Sequence, residues 1–144
     1  MTLTVQAIDR PRAFPPRMTE FTQRFWQGLS AGRFETARCD DCERLTFPPK
    51  PFCPHCWSKR IAWVPLSGRG KLYSQTVVHA AHQVFQGEVP YRVGIVDLDE
   101  GLRIATRVLA DGEPMLDRAV EIVVLNYNDG PLFAARPLQR NRGV

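Results

Sequence analysis

The hydrophobic pattern of the chain has two periods. Between residues 19 and 32 the apolar residues recur at helical spacing. They form one stripe: Phe21, Phe25, Trp26 and Leu29. Thr19 suits the N-cap, Glu20 lies in the first turn, and Gly32 is a stop signal. The pattern predicts a helix over residues 19–32, within an aromatic segment at 18–35. Its stripe packs either against the chain's own core or on another protein, since aromatic residues are enriched at interfaces.

From residue 61 onward the period is that of β-strands. The segments rich in β-forming residues are 61–66, 71–80, 91–98, 102–108, 120–127 and a short last one at 132–134. Turns are predicted at 67–70 and 99–101, and Gly94 predicts a bulge or bend inside a strand. Short strands in this number suit a small closed barrel of the OB kind, because closure removes exposed sheet edges. The predicted fold is mainly β, with a barrel over residues 61–137.

The remaining segments lack a regular period. Residues 1–17 predict an extended arm, because Pro11, Pro15 and Pro16 suit neither a helix nor a central strand. Such arms often become ordered on a partner subunit. Loops are expected at 80–90, which contains Phe85, and at 110–118, which contains Met115 and Leu116. Their apolar residues either cover the barrel end or touch a partner.

The four cysteines lie between the helix and the strands, in the segment CDDCERLTFPPKPFCPHC. Cys39 and Cys42 form one Cys-x-x-Cys pair, and Cys53 and Cys56 form a second after ten intervening residues. Two such turns place four thiolates as a tetrahedron, the geometry that Zn²⁺ accepts at about 2.3 Å. The spacing predicts a zinc site within residues 36–60. Four protein ligands leave no open coordination position, so this zinc is structural.

The alternative is a pair of disulfides, or four free thiols. Disulfides suit an exported protein. The N-terminus has no apolar run of signal-peptide length, and the chain has no stretch of about 18 apolar residues that would span a membrane. We therefore expect a cytoplasmic chain with reduced thiols that bind zinc. Neither His55, within the second pair, nor His79 and His82, with no obvious third ligand, is predicted to bind a metal.

The formal net charge of +4 is concentrated at the ends of the chain. The arm carries Arg10, Arg12 and Arg17, and a basic tail follows at 138–144. The body is close to neutral, but it has six basic and no acidic residues from 44 to 87, and nine acidic residues against four arginines from 88 to 135. This segregation predicts either an ordinary solvated face or a seat for a few phosphates.

No local motif identifies a catalytic centre. The Gly70–Lys71 pair fails the phosphate-loop template, since Pro65 stands where its first glycine is needed and Leu72 replaces the Ser or Thr. No Ser-His-Asp or Cys-His set can be selected by sequence proximity. An enzyme that acts alone is therefore not indicated.

The order of motifs resembles a known family. An aromatic helix FWQGL is followed by CDDC…FPPKPFCPHC, then SGRGKLYSQTVVH and PYRVGIVDLDEGLRI. This order is similar to that of the small proteins, long filed as a domain of unknown function, that join a rubredoxin-like zinc ribbon to an OB fold. The resemblance runs from about Phe21 to Pro137. One departure is that Glu43 and Trp57 stand where such ribbons usually carry glycine, which takes positive φ most easily.

The resemblance implies an accessory role in acyl-CoA metabolism. Members of the family typically partner thiolase-like or hydratase-like subunits, including lipid-transfer-protein-type thiolases that act as aldolases on steroid side chains. We expect a non-catalytic subunit that stabilises such an enzyme and helps to form its CoA and acyl channel, in lipid or steroid side-chain degradation. Within the basic segment, Lys50, Arg69 and Lys71 are the candidates for contact with CoA phosphates.

The alternative function is binding of single-stranded nucleic acid. OB folds bind such strands by combining a basic groove with aromatic residues on which bases stack. The predicted strands offer Tyr73, Tyr91 and Tyr127, although the last two lie in the acidic half. We therefore expect a protein partner rather than a nucleic acid.

Overall fold

A computed structural model describes residues 2–110 and 116–138. The predictions for Met115 and for the basic tail beyond Leu138 lie outside these residues. The described residues form two compact units. The first contains the chain up to Ser67 together with Val124–Leu132, and the second contains Gly68–Val123 and the chain from Phe133 onward. No helix among the described residues is long and apolar enough to cross a membrane.

The first unit contains one α-helix and a three-stranded antiparallel sheet. Its elements are β1 Val5–Ile8, α1 Gln23–Ser30, β2 Glu35–Cys39, β3 Leu45–Thr46 and β4 Ile61–Pro65. The sheet order is β3-β2-β4. Strand β4 pairs with β2 from Glu35↔Pro65 to Cys39↔Ile61. The segment 61–65, which was predicted as the first strand of the barrel, is therefore hydrogen-bonded into this three-stranded sheet.

The arm differs from a wholly irregular segment. Its residues Val5–Ile8 form β1, which pairs in parallel with Val124–Tyr127. Since β1 has one partner strand, it lies at the sheet edge, and the prolines that argued against a central strand follow it in the chain. Local sequence pattern could not show this pairing, because the partner strand is more than a hundred residues away.

Helix α1 is shorter than the predicted 19–32. Thr19 and Thr22 exchange hydrogen bonds, since the Thr19 N–H donates to Thr22 Oγ1 at 2.9 Å and the Thr22 N–H to Thr19 Oγ1 at 3.1 Å. These bonds hold residues 20–22 as a turn, so Thr22 and not Thr19 is the N-cap. The helix ends at Ser30, and Gly32 follows with a φ of 82°.

The aromatic stripe of α1 packs within its own unit. Phe25 is buried and lies 5.7 Å from the ring of Phe47 and 6.2 Å from that of Phe34. Phe21 stacks on Trp63 of β4 at 5.0 Å. Of the two predicted uses of this stripe, the structure therefore favours burial against the chain's own core.

Five strands form the predicted barrel, and the part of the last two that lies within Val124–Leu132 is counted with the first unit. Its strands are β5 Arg69–Val78, β6 Tyr91–Leu98, β7 Arg103–Val108, β8 Ala119–Tyr127 and β9 Gly130–Pro137. They follow the order β8-β5-β6-β7-β9, and a β8–β9 pairing closes the ring. Period-two burial is clear in β7, where Ile104, Thr106 and Val108 are buried. The predicted mainly β fold with an OB-type barrel is confirmed.

Gly94 does not form the predicted bulge. It pairs regularly with Gln75 and Thr106, and the register shift lies on the neighbouring strand between Leu72 and Ser74. A Cβ at position 94 would meet Val108 Cγ2 at 2.7 Å and the Ser74 carbonyl oxygen at 2.8 Å. Glycine is therefore required there by close packing and not by a bend.

Arg12, whose side chain is buried, makes a second set of contacts that hold the arm. The Arg12 N–H donates to Asp129 Oδ1 at 2.8 Å, and its guanidinium donates to the carbonyl oxygens of Asp129 at 2.8 Å and Pro131 at 3.3 Å. The Arg12 side chain is 7% exposed. The hydrogen bond from the Arg12 N–H is the main cause that lowers the pKa of the Asp129 carboxyl.

This contact predicts an acid-sensitive contribution to stability. Because the pKa of Asp129 is lower in the folded chain, the contribution is complete above the unfolded value of about 3.9 and is lost as pH falls through the folded pKa. We expect the difference in melting temperature between the wild type and Asp129→Asn to be constant from pH 7 to about 5 and to shrink below about pH 4. The two proteins are compared only at pH values where metal analysis shows that both keep their zinc, since release of the ion would itself unfold this unit. A difference that stays constant below about pH 4 while both keep their zinc would contradict the assignment.

Candidate metal centre

Two chain turns of the same construction carry the four cysteines. In the first knuckle, which we define as residues 39–44, the Cys39 N–H donates to the Arg44 carbonyl oxygen at 3.0 Å and the Glu43 N–H to that of Cys39 at 2.9 Å. The second knuckle, residues 53–58, repeats both bonds: Cys53 N–H to Ser58 oxygen and Trp57 N–H to Cys53 oxygen, each at 2.8 Å. Strands β2 and β4 pair beside them, so the sheet fixes where the knuckles stand.

The four sulfur atoms lie within 4.8 Å of one another. The Sγ atoms of Cys39 and Cys56 are 3.5 Å apart, as are those of Cys42 and Cys53. Sulfur ligands at about 2.3 Å from a tetrahedral zinc ion would be separated by about 3.8 Å. All four are free cysteines and not disulfides. Their number, type and spacing therefore fit Zn²⁺.

Backbone N–H groups donate hydrogen bonds to two of the cysteine sulfur atoms. The Cys42 N–H donates to Cys39 Sγ at 3.4 Å, and the His55 N–H donates to Cys53 Sγ at the same distance. The Cys42 donor is the largest of the causes that lower the pKa of the Cys39 thiol to about 7. The Ser58 N–H lowers the pKa of Cys56, but the neighbouring thiols and burial outweigh it and raise that pKa to about 12. Four thiolates at this spacing repel one another, so a divalent cation is needed to keep all four deprotonated.

The two positions that usually hold glycine in such ribbons have a positive φ here, although neither is glycine. Glu43 has a φ of 64° and Trp57 a φ of 65°. Both belong to the left-handed region that disfavours ordinary side chains. Their N–H groups must point back to the first cysteine of each knuckle, and this requirement imposes the conformation. The knuckle geometry is thus retained although neither residue is glycine.

A polar brace joins the two knuckles, and sequence reasoning missed it. Asp41 lies between the first two cysteines and accepts hydrogen bonds from Ser58 Oγ and, at 3.1 Å, from Arg60 Nη1. Arg44 Nη1 lies 3.4 Å from His55 Nδ1. Both residues are visible in the sequence, since Asp41 lies in the first knuckle and Ser58 at the end of the second. Their spacing matches no recognisable motif, because the two knuckles meet only in the fold.

No histidine side chain belongs to the sulfur cluster among the described residues. Among residues 2–110 and 116–138, the four cysteines are the single group of three or more Cys, His, Asp or Glu side chains close enough to share an ion. His82 Nδ1 accepts a hydrogen bond from the Val84 N–H at 3.4 Å and caps the 3₁₀ turn Gln83–Phe85. That loop was expected to be irregular.

The three predicted phosphate contacts fall in different units. Lys50 is exposed and precedes the second knuckle in the first unit. Arg69 and Lys71 are exposed on β5 in the second unit, and they alternate with the buried Gly70 and Leu72. The two β5 cations therefore share one face of their strand.

The tyrosines proposed for base stacking are largely engaged. The Arg103 guanidinium lies 4.0 Å from the centre of the Tyr73 ring and is held there by Asp97 at 2.7 Å. Arg107 lies 4.0 Å over the Tyr91 ring. Tyr127 is 7% exposed. A guanidinium therefore lies over one face of the Tyr73 and Tyr91 rings, while Tyr73 remains 51% exposed.

The chain is similar to known proteins over most of its length. Residues 26–62 match the family described as "ChsH2, rubredoxin-like zinc ribbon domain", and residues 63–125 match "ChsH2, C-terminal OB-fold domain". The chain is 39% identical to the benzoylsuccinyl-CoA thiolase subunit BbsA of Thauera aromatica, over 64% of this chain and 63% of that protein. It is 33% identical to a probable enoyl-CoA hydratase alpha subunit of Thermomonospora curvata, over 84% of this chain.

The chain therefore spans 38% of the length of the hydratase subunit and 63% of the thiolase subunit. A solved structure titled "Ltp2-ChsH2(DUF35) aldolase" contains a similar chain. It superposes with a TM-score of 0.73 at 30% identity, and the match covers 85% of this chain and 98% of that one.

Proposed function

Because the chain belongs to the DUF35 family of ChsH2-type zinc-ribbon and OB-fold proteins, we propose that it is a non-catalytic accessory subunit of an acyl-CoA enzyme. Its partner is a thiolase-like or hydratase-like protein. The observation that carries the proposal is the match to 98% of the small chain in an aldolase complex. The similar proteins from Thermomonospora curvata and Thauera aromatica are named as subunits of a hydratase and of a thiolase.

The role of the metal in this proposal is structural. Cys39, Cys42, Cys53 and Cys56 would hold Zn²⁺ and fill its coordination shell, so no position remains for a water or a substrate. The ion supplies folding energy to the ribbon. Reduced thiols of this kind fit the cytoplasm, which we propose as the location.

The basic residues Arg69 and Lys71 would meet the phosphates of CoA, with Lys50 as a third candidate. Support comes from their exposure and from the absence of acidic residues between 44 and 87. The acyl group, for which the resemblance implies a lipid or steroid side chain, would be held by the partner. In this account the small subunit stabilises the partner and completes its acyl-CoA channel.

Turnover assays test the division of labour. We expect the purified chain to convert no acyl-CoA, enoyl-CoA or ketoacyl-CoA thioester, and the complex with its partner to convert one of these classes. In that complex, Arg69→Glu with Lys71→Glu should raise KM for the CoA thioester by about 10-fold and leave KM for the matching N-acetylcysteamine thioester unchanged, because the latter lacks phosphates. Turnover by the chain alone would contradict the proposal.

A further inference from the structure

Trp57 is an exposed side chain on a strained backbone. Its side chain is 74% exposed, the largest fraction of any large hydrophobic residue described. Its φ of 65° belongs to the left-handed region, which a bulky residue rarely adopts. Glycine would adopt the same backbone readily. The ring is not buried within the described residues, so its own packing does not offset this backbone conformation.

The Trp57 ring is held in a fixed orientation. It stacks on Phe52 with ring centres 5.7 Å apart and an interplanar angle of 10°. Phe52 is the one ring that it contacts among the described residues, so the outer face of the indole is open. Pro51 directly precedes Phe52 and Pro54 follows it by two residues, and neither offers an N–H donor. The result is a flat, prepared apolar surface.

Two exposed lysines lie close to these rings in the sequence. Lys50 precedes Phe52 by two residues and Lys59 follows Trp57 by two, and both are exposed. The nearby Asp41 is already engaged by Ser58 and Arg60, and no ion pair is formed by either lysine within the described residues. We call Lys50, Phe52, Trp57 and Lys59 the knuckle patch.

The other aromatic residues of the ribbon unit are less suited to docking. The rings of α1 pack on Phe34, Phe47 and Trp63 of their own unit. Phe14, in the arm, and Met18, directly after it, are exposed at 63% and 51%, but neither has a positive φ. Exposure, strain and an open stacked ring coincide only at Trp57 among the described residues.

We propose that the knuckle patch is the anchor by which the chain docks on its partner subunit, with Trp57 entering an apolar pocket rimmed by carboxylates. The proposal rests on the proposed function, since it names the surface that the accessory subunit uses. Tryptophan is enriched among the few residues that dominate interface energetics. The unpaired lysines would meet the acidic rim and speed association. The backbone strain is the cost of displaying this ring.

The chain contains its own matched control. Trp57→Gly and Glu43→Gly relieve the same left-handed strain at equivalent positions of the two knuckles, but only the first removes the ring. With the zinc-loaded full chain and the thiolase-like or hydratase-like subunit that co-purifies with it, we expect Trp57→Gly to raise the Kd by about 30-fold or more. Glu43→Gly should leave the Kd within about twofold. Both variants should keep their zinc and melt within about 3 °C of the wild type.

Charge reversal supplies a second readout. Lys59→Glu, which leaves the CoA candidates unchanged, should slow association about threefold at low salt and weaken its salt dependence. A Trp57→Gly chain that binds the partner with a Kd within threefold of the wild type would overturn the anchor alone. A wild-type chain that binds no such subunit would overturn the proposed function and the anchor together. If the sole effect of Trp57→Gly were a loss of self-association, or a loss of binding to CoA alone, the anchor would also be overturned.

Discussion

Cys53→Ser is expected to abolish zinc binding and to unfold the ribbon. Cys53 is the first residue of the second knuckle and is fully buried. Its sulfur lies 3.5 Å from that of Cys42. Apparent zinc-binding free energies in zinc-finger peptides are about 10–16 kcal/mol at neutral pH, and that energy is folding energy. The free energy lost when one of the four thiolate ligands is removed should therefore exceed the free energy of unfolding of a unit of this size.

Metal analysis and amide NMR spectra of the ribbon residues measure the effect. The control is His55→Ala, which changes the same knuckle without removing a sulfur. We expect His55→Ala to keep one zinc per chain, and the wild type treated with a strong chelator to resemble Cys53→Ser. A Cys53→Ser chain with a fully ordered ribbon and no metal would show that the site is not structural.

Gly70→Ala is expected to destabilise the barrel by about 3 kcal/mol. Gly70 pairs with Leu98 on one side and Val120 on the other, inside β5. A Cβ there would collide with the carbonyl group of Asp97 and lie 2.9 Å from the Leu98 Cα. These are backbone atoms of a paired strand, so they cannot move aside without loss of the ladder.

The control for this substitution is Gly87→Ala. A Cβ at position 87 meets nothing within 4 Å, and its φ lies outside the left-handed region. Gly87→Ala should therefore be neutral or stabilise the chain by up to about 1 kcal/mol, because it restricts the unfolded chain. Urea unfolding of the two variants measures both effects. Equal stability of Gly70→Ala and the wild type would show that the β5–β6 pairing is wrong.

The features predictable from the sequence are those with a local period. The four cysteines are recognisable because each pair is closed by its own turn, and the strand Tyr91–Leu98 was predicted at its observed bounds. The barrel followed from alternation that the buried face of β7 repeats. The metal site and the fold class therefore required no long-range information.

The remaining features depend on partners that are distant in the chain. The β1 pairing needs residues 124–127, and the placement of β4 in the ribbon needs β2. The guanidinium groups over Tyr73 and Tyr91 come from β7, so the sequence pattern could not show these cation–ring contacts. At Trp57 the missing glycine was visible, but the exposed stacked ring was not.

The most direct test of an accessory role is the mass of the assembly that the chain forms in its own host. Native mass spectrometry of the tagged full-length chain, purified at low salt, reports the partner and the metal together. The account predicts a complex with a thiolase-like or hydratase-like subunit and one zinc ion for each copy of this chain. A chain that appears alone at every concentration, or with nucleic acid in place of a protein subunit, would contradict it.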